Sequence, residues 1–235
     1  MALPKLDLPR HKTVLPSSGQ EIIMRPYLVK EEKLLLLALE SQDPEQIALA
    51  IKNLIEGCIE TELDIEDLTG FDVEKLFLEL RGISVGETIG LNAKCQNCEH
   101  QNEISIDIKD VEMTEYNPDD RIIKLTESVG LTMNYPTATI ISKLDPDNLD
   151  SVEGIMDLII ACVNNIFDND DVFEAKEENA DEIRGFVEGL TTEQFKKVGA
   201  FFKTMPMLAY DMEFTCDKCQ FENKVELRGL QSFFT

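Results

Sequence analysis

Apolar and polar positions change period several times along this chain, and the changes mark out its elements. Thr13–Leu15 and Glu21–Met24 flank Ser17-Ser18-Gly19, the pattern of a hairpin. Leucines then crowd the stretch from about Lys30 to Glu40, which predicts a helix. The run Asp43-Pro44-Glu45-Gln46 opens the next one. Asp43 suits the N-cap, Pro44 the first helical position, and Gln46 the reciprocal half of a capping box. The apolar residues that follow, Ile47, Ile51, Leu54, Ile55, Cys58 and Ile59, recur at the spacing of one buried stripe. A third helix is predicted over Val73–Arg81, with Leu76, Phe77 and Leu80 inward and Gly82 as its stop. Strand alternation then resumes: Leu91–Lys94 and Glu103–Ile108 read as a pair, with Ile104, Ile106 and Ile108 on one face.

The same order returns after a polar, proline-containing stretch, Glu112–Asp120. Arg121–Leu125 and Leu131–Tyr135 predict a hairpin around Val129-Gly130, and Pro136 leads into a helix ending near Leu144. Asp150–Phe167 places Val152, Ile155, Met156, Ile159, Cys162, Val163 and Ile166 at helical spacing. Two further helices are predicted over Ala180–Gly189 and Thr192–Thr204, with Thr191 and Gln194 as a capping box for the second. Leu208–Thr215 and Asn223–Arg228 are the last strands.

Segments of the two halves match. Ile51–Ile59 aligns with Ile155–Val163, which sets Cys58 against Cys162, and Gly70–Leu76 aligns with Gly189–Phe195. Chance likeness between helices is the competing account, but the shared element order favours an internal duplication. Cys58 and Cys162 lie 104 positions apart, whereas Cys95 and Cys216 lie 121 apart, so the second half carries about 17 extra residues, placed around Asp168–Asn179. The expected organisation is α+β: an extended arm over 1–12, a first repeat over 13–110, a linker over 111–120, a second repeat over 121–228 with an acidic insert at 168–179, and a tail over 229–235. Cys58 and Cys162 fall on apolar stripes and read as small core residues. The insert resembles a calcium loop only loosely, because Phe173 occupies the position that needs glycine. A solvated loop is the simpler reading.

Candidate chemistry lies in four other cysteines. Cys95-Gln-Asn-Cys98 and Cys216-Asp-Lys-Cys219 are C-x-x-C pairs, each between two predicted strands and each followed by an asparagine, Asn102 and Asn223, at the same distance. A tight turn points both sulfurs of such a knuckle to one side, and two knuckles supply the four thiolates of a closed, structural zinc site. Two alternatives remain: knuckles that hold no metal, and a redox dithiol, although redox pairs usually open a helix after a strand. His100 is a possible substitute ligand or a surface residue beside the site.

A formal net charge of −24 opposes nucleic-acid binding, since phosphates would be repelled. Lys94, Lys218 and Lys224 are too few to give the knuckles a basic face. No apolar run is long enough to span a bilayer and the first residues lack a signal-peptide core, so synthesis and reduced thiols in the cytoplasm are expected. With only His11 and His100, and without G-x-S-x-G, H-E-x-x-H or a phosphate-cradling glycine loop, no catalytic set is recognised. A non-enzymatic binding role is expected, with no nucleic acid, membrane or small-molecule substrate as partner. The other classes are a zinc-ribbon regulator of a polymerase or ribosome, and an enzyme with a cleft that gathers carboxylates. Adjacent Phe233 and Phe234 follow the last strand and cannot both face one core if the strand continues. They are therefore candidate interface anchors, unless they fold back onto the protein.

Two stretches, Ala2-Leu-Pro-Lys-Leu6 and Arg25-Pro-Tyr-Leu-Val-Lys-Glu-Glu-Lys33-Leu-Leu, together with the knuckles and the chain length, resemble the baseplate hub protein family of T-even-type contractile-tailed bacteriophages. The resemblance covers nearly the whole chain. It implies a part in building the central hub of the tail baseplate, either as a hub subunit or as an assembly factor. Other hub or tail proteins would be its partners, in the host cytoplasm during assembly and in the virion baseplate if it is retained. It brings no catalytic residues.

Overall fold

Turn chemistry and helix caps divide the chain into short hairpins and helices. A computed structural model describes residues 7–115, 117–141, 144 and 151–233. They form two compact units. One, here the knuckle unit, takes the chain up to Ile65, Phe71–Thr114 and everything from Met207 on. The other, the sheet unit, takes Glu66–Gly70 and Glu115–Pro206. Among the described residues no helix is long and apolar enough to cross a membrane.

In the knuckle unit β1 (His11–Val14) pairs antiparallel with β2 (Glu21–Met24), and Gly19 takes a φ of 72° in their turn. Strand pairing thus takes in the last two residues of the expected N-terminal arm, His11 and Lys12. The helices α1 (Val29–Ser41) and α2 (Pro44–Cys58) follow, and Gln42 turns the chain between them in the left-handed region. Asp43 caps α2 through Glu45 N–H. The capping box expected of Gln46 does not form. Its amide binds the Asp43 carboxylate, and Asp43 N–H is instead satisfied by Ser41 Oγ at 3.2 Å. A largely buried ion pair locks the two helices together. Arg25 donates to Glu31 at 2.8 Å, to Gly57 O at 2.5 Å and to Pro26 O, while Glu31 also accepts Leu28 N–H at 2.7 Å. The Arg25 hydrogen bond holds the Glu31 carboxyl below its ordinary range, against the opposing effect of burial.

α3 (Gly70–Ser84) runs through Gly82, the predicted stop. Glycine ends a helix by turning left-handed, and Gly82 does not; Gly86, at φ 132°, makes the turn. β3 (Thr88–Lys94) pairs with β4 (Gln101–Asp107) as the first knuckle hairpin. The alternation stops at Asp107, which caps a 3₁₀ turn beginning at Ile108, so Ile108 does not continue the strand. Within the expected linker, β5 (Glu112–Met113) pairs with the start of β10 (Leu208–Thr215). β10 pairs in turn with β11 (Glu222–Arg228), the second knuckle hairpin. Glu74 of α3 anchors the base of that hairpin by accepting Leu208 N–H at 3.2 Å and Leu230 N–H at 2.9 Å.

A 3₁₀ turn, Leu230–Phe233, then bends the chain back, and Phe233 is 1% exposed. Of the two readings of Phe233, exposed anchor or residue folded back onto the protein, its burial fits the second: the chain turns where a continuing strand would have exposed it. Phe234, the other residue of that pair, lies outside the described residues. The core of this unit joins Ile22, Met24, Ile55, Leu76, Phe77, Leu80, Ile89 and Leu208, all buried.

The sheet unit is built on an antiparallel sheet ordered β6 (Ile122–Lys124), β7 (Val129–Met133), β8 (Val163–Asp168), β9 (Asp171–Glu174). Its helices are α4 (Ala138–Ile141), α5 (Val152–Cys162), α6 (Ala180–Glu188) and α7 (Thr192–Phe201). The helix predicted over Asp150–Phe167 ends at Cys162. Val163 and Ile166 fit a helical stripe, but pairing of Val163–Asp168 with β7 on one side and β9 on the other wins. The acidic insert is likewise not a plain loop: Asn169 turns at φ 54° and β9 follows. Leu131, Met133, Ile159, Cys162 and Val198 are buried at its core, where Tyr135 stacks on Phe201 with ring centroids 5.3 Å apart. Thr191 and Gln194 form the predicted capping box.

One local arrangement occurs in both units. The residue leaving a hairpin donates to the last carbonyl of a later helix: Arg25 N–H to Cys58 O at 3.0 Å, and Asn134 N–H to Cys162 O at 2.6 Å. The residue after each helix bridges back to the hairpin, Ile59 to Met24 and Val163 to Met133.

Candidate metal centre

Each knuckle is a strand–turn–strand whose geometry follows from its own sequence. In the first, Cys95 N–H donates to His100 O at 2.8 Å and Glu99 N–H to Cys95 O at 3.0 Å, with Glu99 at φ 59°. In the second, Cys216 N–H donates to Phe221 O at 2.9 Å and Gln220 N–H to Cys216 O at 2.9 Å, with Gln220 again at φ 59°. The same turn thus occurs twice, and in each the fourth residue after the first cysteine takes the left-handed conformation.

The two turns bring the sulfurs together. The Sγ atoms of Cys95, Cys98, Cys216 and Cys219 all lie within 4.8 Å of one another. Cys95 Sγ is 3.7 Å from Cys219 Sγ, and Cys98 Sγ is 3.7 Å from Cys216 Sγ. These are not disulfide distances, and all four cysteines are free. In a tetrahedron of Zn–S bonds of about 2.3 Å, neighbouring sulfurs sit about 3.8 Å apart, so the cluster has the dimensions of a four-thiolate metal site. The first cysteine of each pair is buried and the second half-buried. An ion held by all four sulfurs would have no position left for water or substrate. His100 is exposed and does not belong to the cluster.

Two asparagines join the knuckles reciprocally. Asn102 Oδ1 accepts the N–H of Asp217, the residue after Cys216, at 3.0 Å. Asn223 Oδ1 accepts the N–H of Gln96, the residue after Cys95, at 2.8 Å. Both side chains are buried, at 2% and 1% exposure. Each also donates to a carbonyl of its own hairpin: Asn102 to Ala93 O and His100 O, and Asn223 to Phe221 O. The shared Cys-x-x-Cys-x-x-x-Asn spacing marks these residues in the sequence, but their crossing over to the opposite knuckle is visible only in the structure. Asn97 carried no such signal. Its backbone N–H donates to Cys95 Sγ at 3.4 Å and its amide to Cys219 Sγ at 3.6 Å.

Such donors favour thiolates. Burial works to raise the Cys95 thiol, but the N–H groups of Cys98 and Asn97 and the neighbouring thiols outweigh it and bring it down to about 6. The Asn97 amide, then Phe221 N–H, lowers Cys219. Cys98 shows the limit. His100 N–H lowers it, yet hydrogen bonds shared with Cys219 and Cys216, together with burial, drive it up to about 12. Four sulfurs this close cannot all ionise without a cation between them, and a divalent metal would supply that charge. Cys58 and Cys162 stand apart. Burial raises them to about 11 and about 12, and both are fully buried core thiols.

A family model described as T4 bacteriophage base plate protein matches residues 8–235, nearly the whole chain. The chain belongs to that family. It is therefore a phage baseplate protein, and the family suggests a structural protein of the virion tail rather than an enzyme. Membership implies contact with other tail or baseplate proteins. No curated protein and no solved structure matches the chain.

Proposed function

We propose that this chain is a non-enzymatic structural or assembly protein of the contractile-tail baseplate that helps build the central hub by binding other hub or tail proteins. The observation that carries this reading is the family match over nearly the whole chain. In this reading zinc, held by Cys95, Cys98, Cys216 and Cys219, is a structural cross-link. Sulfur pairs at 3.7 Å support a tetrahedral ion, and the closed ligand set supports a role in shape rather than reaction. The two halves, about 13–110 and 121–228, are read as copies of one ancestral unit whose knuckles pair as a zinc-ribbon-like site. The paired Asn102 and Asn223 clamps support this, as do the matching bonds of Arg25 to Cys58 and Asn134 to Cys162.

The test is capture of a tagged chain from infected cells, with mass spectrometry of what comes with it and, separately, of purified particles. Hub proteins in the capture and the chain in the particles make it a hub subunit. Hub proteins in the capture with no chain in the particles make it an assembly factor. A capture dominated by polymerase or ribosomal proteins would overturn the baseplate reading. Elemental analysis of the freshly purified chain should find about one zinc per chain, as four ligands allow.

A further inference from the structure

An apolar groove runs along the sheet unit between the β8–β9 hairpin and α6. It encloses about 290 Å³, and its walls are Val129, Ile166, Phe173, Ile183 and Phe186. Asp168, Glu178 and Glu182 also line it, and no lysine or arginine does. Among the described residues none of these three carboxylates is in an ion pair, and Arg184 of α6 is committed to Glu153, Asp157 and Glu188. The chain from Asp168 to Glu182 carries eight carboxylates against the single Lys176. In the midst of that charge Val172 and Phe173 are 56% and 47% exposed. β9 is also the last strand of its sheet, so one edge of its backbone faces away from β8.

We propose that the groove and the β9 edge receive an extended segment of a partner protein in which lysine or arginine alternates with bulky apolar residues. The proposal rests on the reading of the chain as a baseplate assembly protein and adds the chemistry of one partner segment. Strand alternation supplies the fit: apolar side chains of such a segment turn into the groove, and basic ones turn to the carboxylate rim. Desolvating an acidic rim beside exposed phenylalanine is unfavourable unless the incoming surface brings positive charge, which selects against acidic or neutral strands. The competing account is that the carboxylates only keep an exposed edge from pairing with other copies of the chain.

The full chain is titrated, by fluorescence anisotropy, against a labelled synthetic peptide of alternating lysine and leucine. Lysine–serine and glutamate–leucine peptides of equal length serve as controls. The lysine–leucine peptide should bind at least about tenfold more tightly than either control. Phe173→Ser, and separately Glu178→Lys with Glu182→Lys, should each weaken it about tenfold or more at unchanged melting temperature and zinc content. Lysine–serine binding as tight as lysine–leucine binding would reduce the effect to general attraction by an acidic chain and overturn the proposal. So would wild-type binding by the variants, or aggregation of the charge-reversed chain while Phe173→Ser still binds normally. Capture of hub proteins by the wild-type chain is scored independently. Retained capture without peptide binding rejects only the groove; tight, variant-sensitive peptide binding without capture upholds the groove and rejects the hub reading.

Discussion

Replacing either knuckle asparagine by alanine should loosen the metal centre without touching a ligand. Asn102 makes three hydrogen bonds, one of them across to Asp217 N–H, and Asn223 makes two, one across to Gln96 N–H. At about 1 kcal/mol net per bond, Asn102→Ala should cost about 3 kcal/mol and Asn223→Ala about 2 kcal/mol. For a chain of this size that corresponds to a melting temperature lower by about 4–12 °C. Because the crossing bonds fix how one knuckle faces the other, metal should also be held about tenfold or more weakly, as for other residues that orient ligands. The assay is the rate of metal transfer from the purified holoprotein to a chromogenic chelator, read beside thermal unfolding of the same sample. Both variants should release metal faster than wild type, and Asn102→Ala should melt lower. Wild-type release from both variants would refute the clamp. A defect confined to one of them would refute its reciprocity.

Glu31→Gln should flatten the acid limb of the stability curve. The folded Glu31 carboxyl is depressed, so its contribution is present above the ordinary carboxylate range and is lost as pH falls below about 4.5 through the folded value; chemical denaturation across pH 3–7 reads it. Gly130→Ala should destabilise by about 1–3 kcal/mol, because a Cβ there would meet the Phe167 ring and stand 2.7 Å from Ile123 O. Metal content should not change, since the four clustered cysteines belong to the other unit. Phe233→Ala should cost about 3–5 kcal/mol in denaturant unfolding, as for a fully buried phenylalanine; a change within error would return Phe233 to the surface. Chelation of the metal should lower the unfolding midpoint of wild type and have no further effect on a Cys98→Ser, Cys216→Ser chain already lacking the site.

Much of the fold was legible because most elements announce themselves locally. Period-two runs around the knuckles, the Thr191–Gln194 box and the stripe of α2 each specify their own conformation. The misreadings share a cause. Val163 to Ile166 fits a helix or a strand on spacing, and only the neighbours β7 and β9 decide it. Gly82 and Gln46 have the chemistry of a stop and a box, but the helix runs on through Gly82, and Ser41 Oγ takes the Asp43 N–H that Gln46 would have bound. The gathering of the four cysteines was legible in their spacing, because metal-ligand chemistry tolerates few residue types. The site was not legible in Asn97, whose value lies in the direction of its amide, nor in the division into units. The return of Met207 and the residues after it to the knuckle unit depends on long-range contacts such as Glu74 with Leu208 and Leu230.

That return sets an order of events during synthesis. Cys98 leaves the ribosome 118 residues before Cys216. At ordinary elongation rates the first knuckle waits about 6–24 s for its partner. Glu115–Pro206, the bulk of the sheet unit, emerges within that interval and can fold while the first knuckle still offers only two sulfurs. Closing the metal centre is then among the last steps, and it draws together a loop whose chain entropy is already reduced by a folded body within it. A chain released before Cys219 lacks the fourth sulfur of the candidate site, so an ion held by all four cysteines would certify that translation has passed that point.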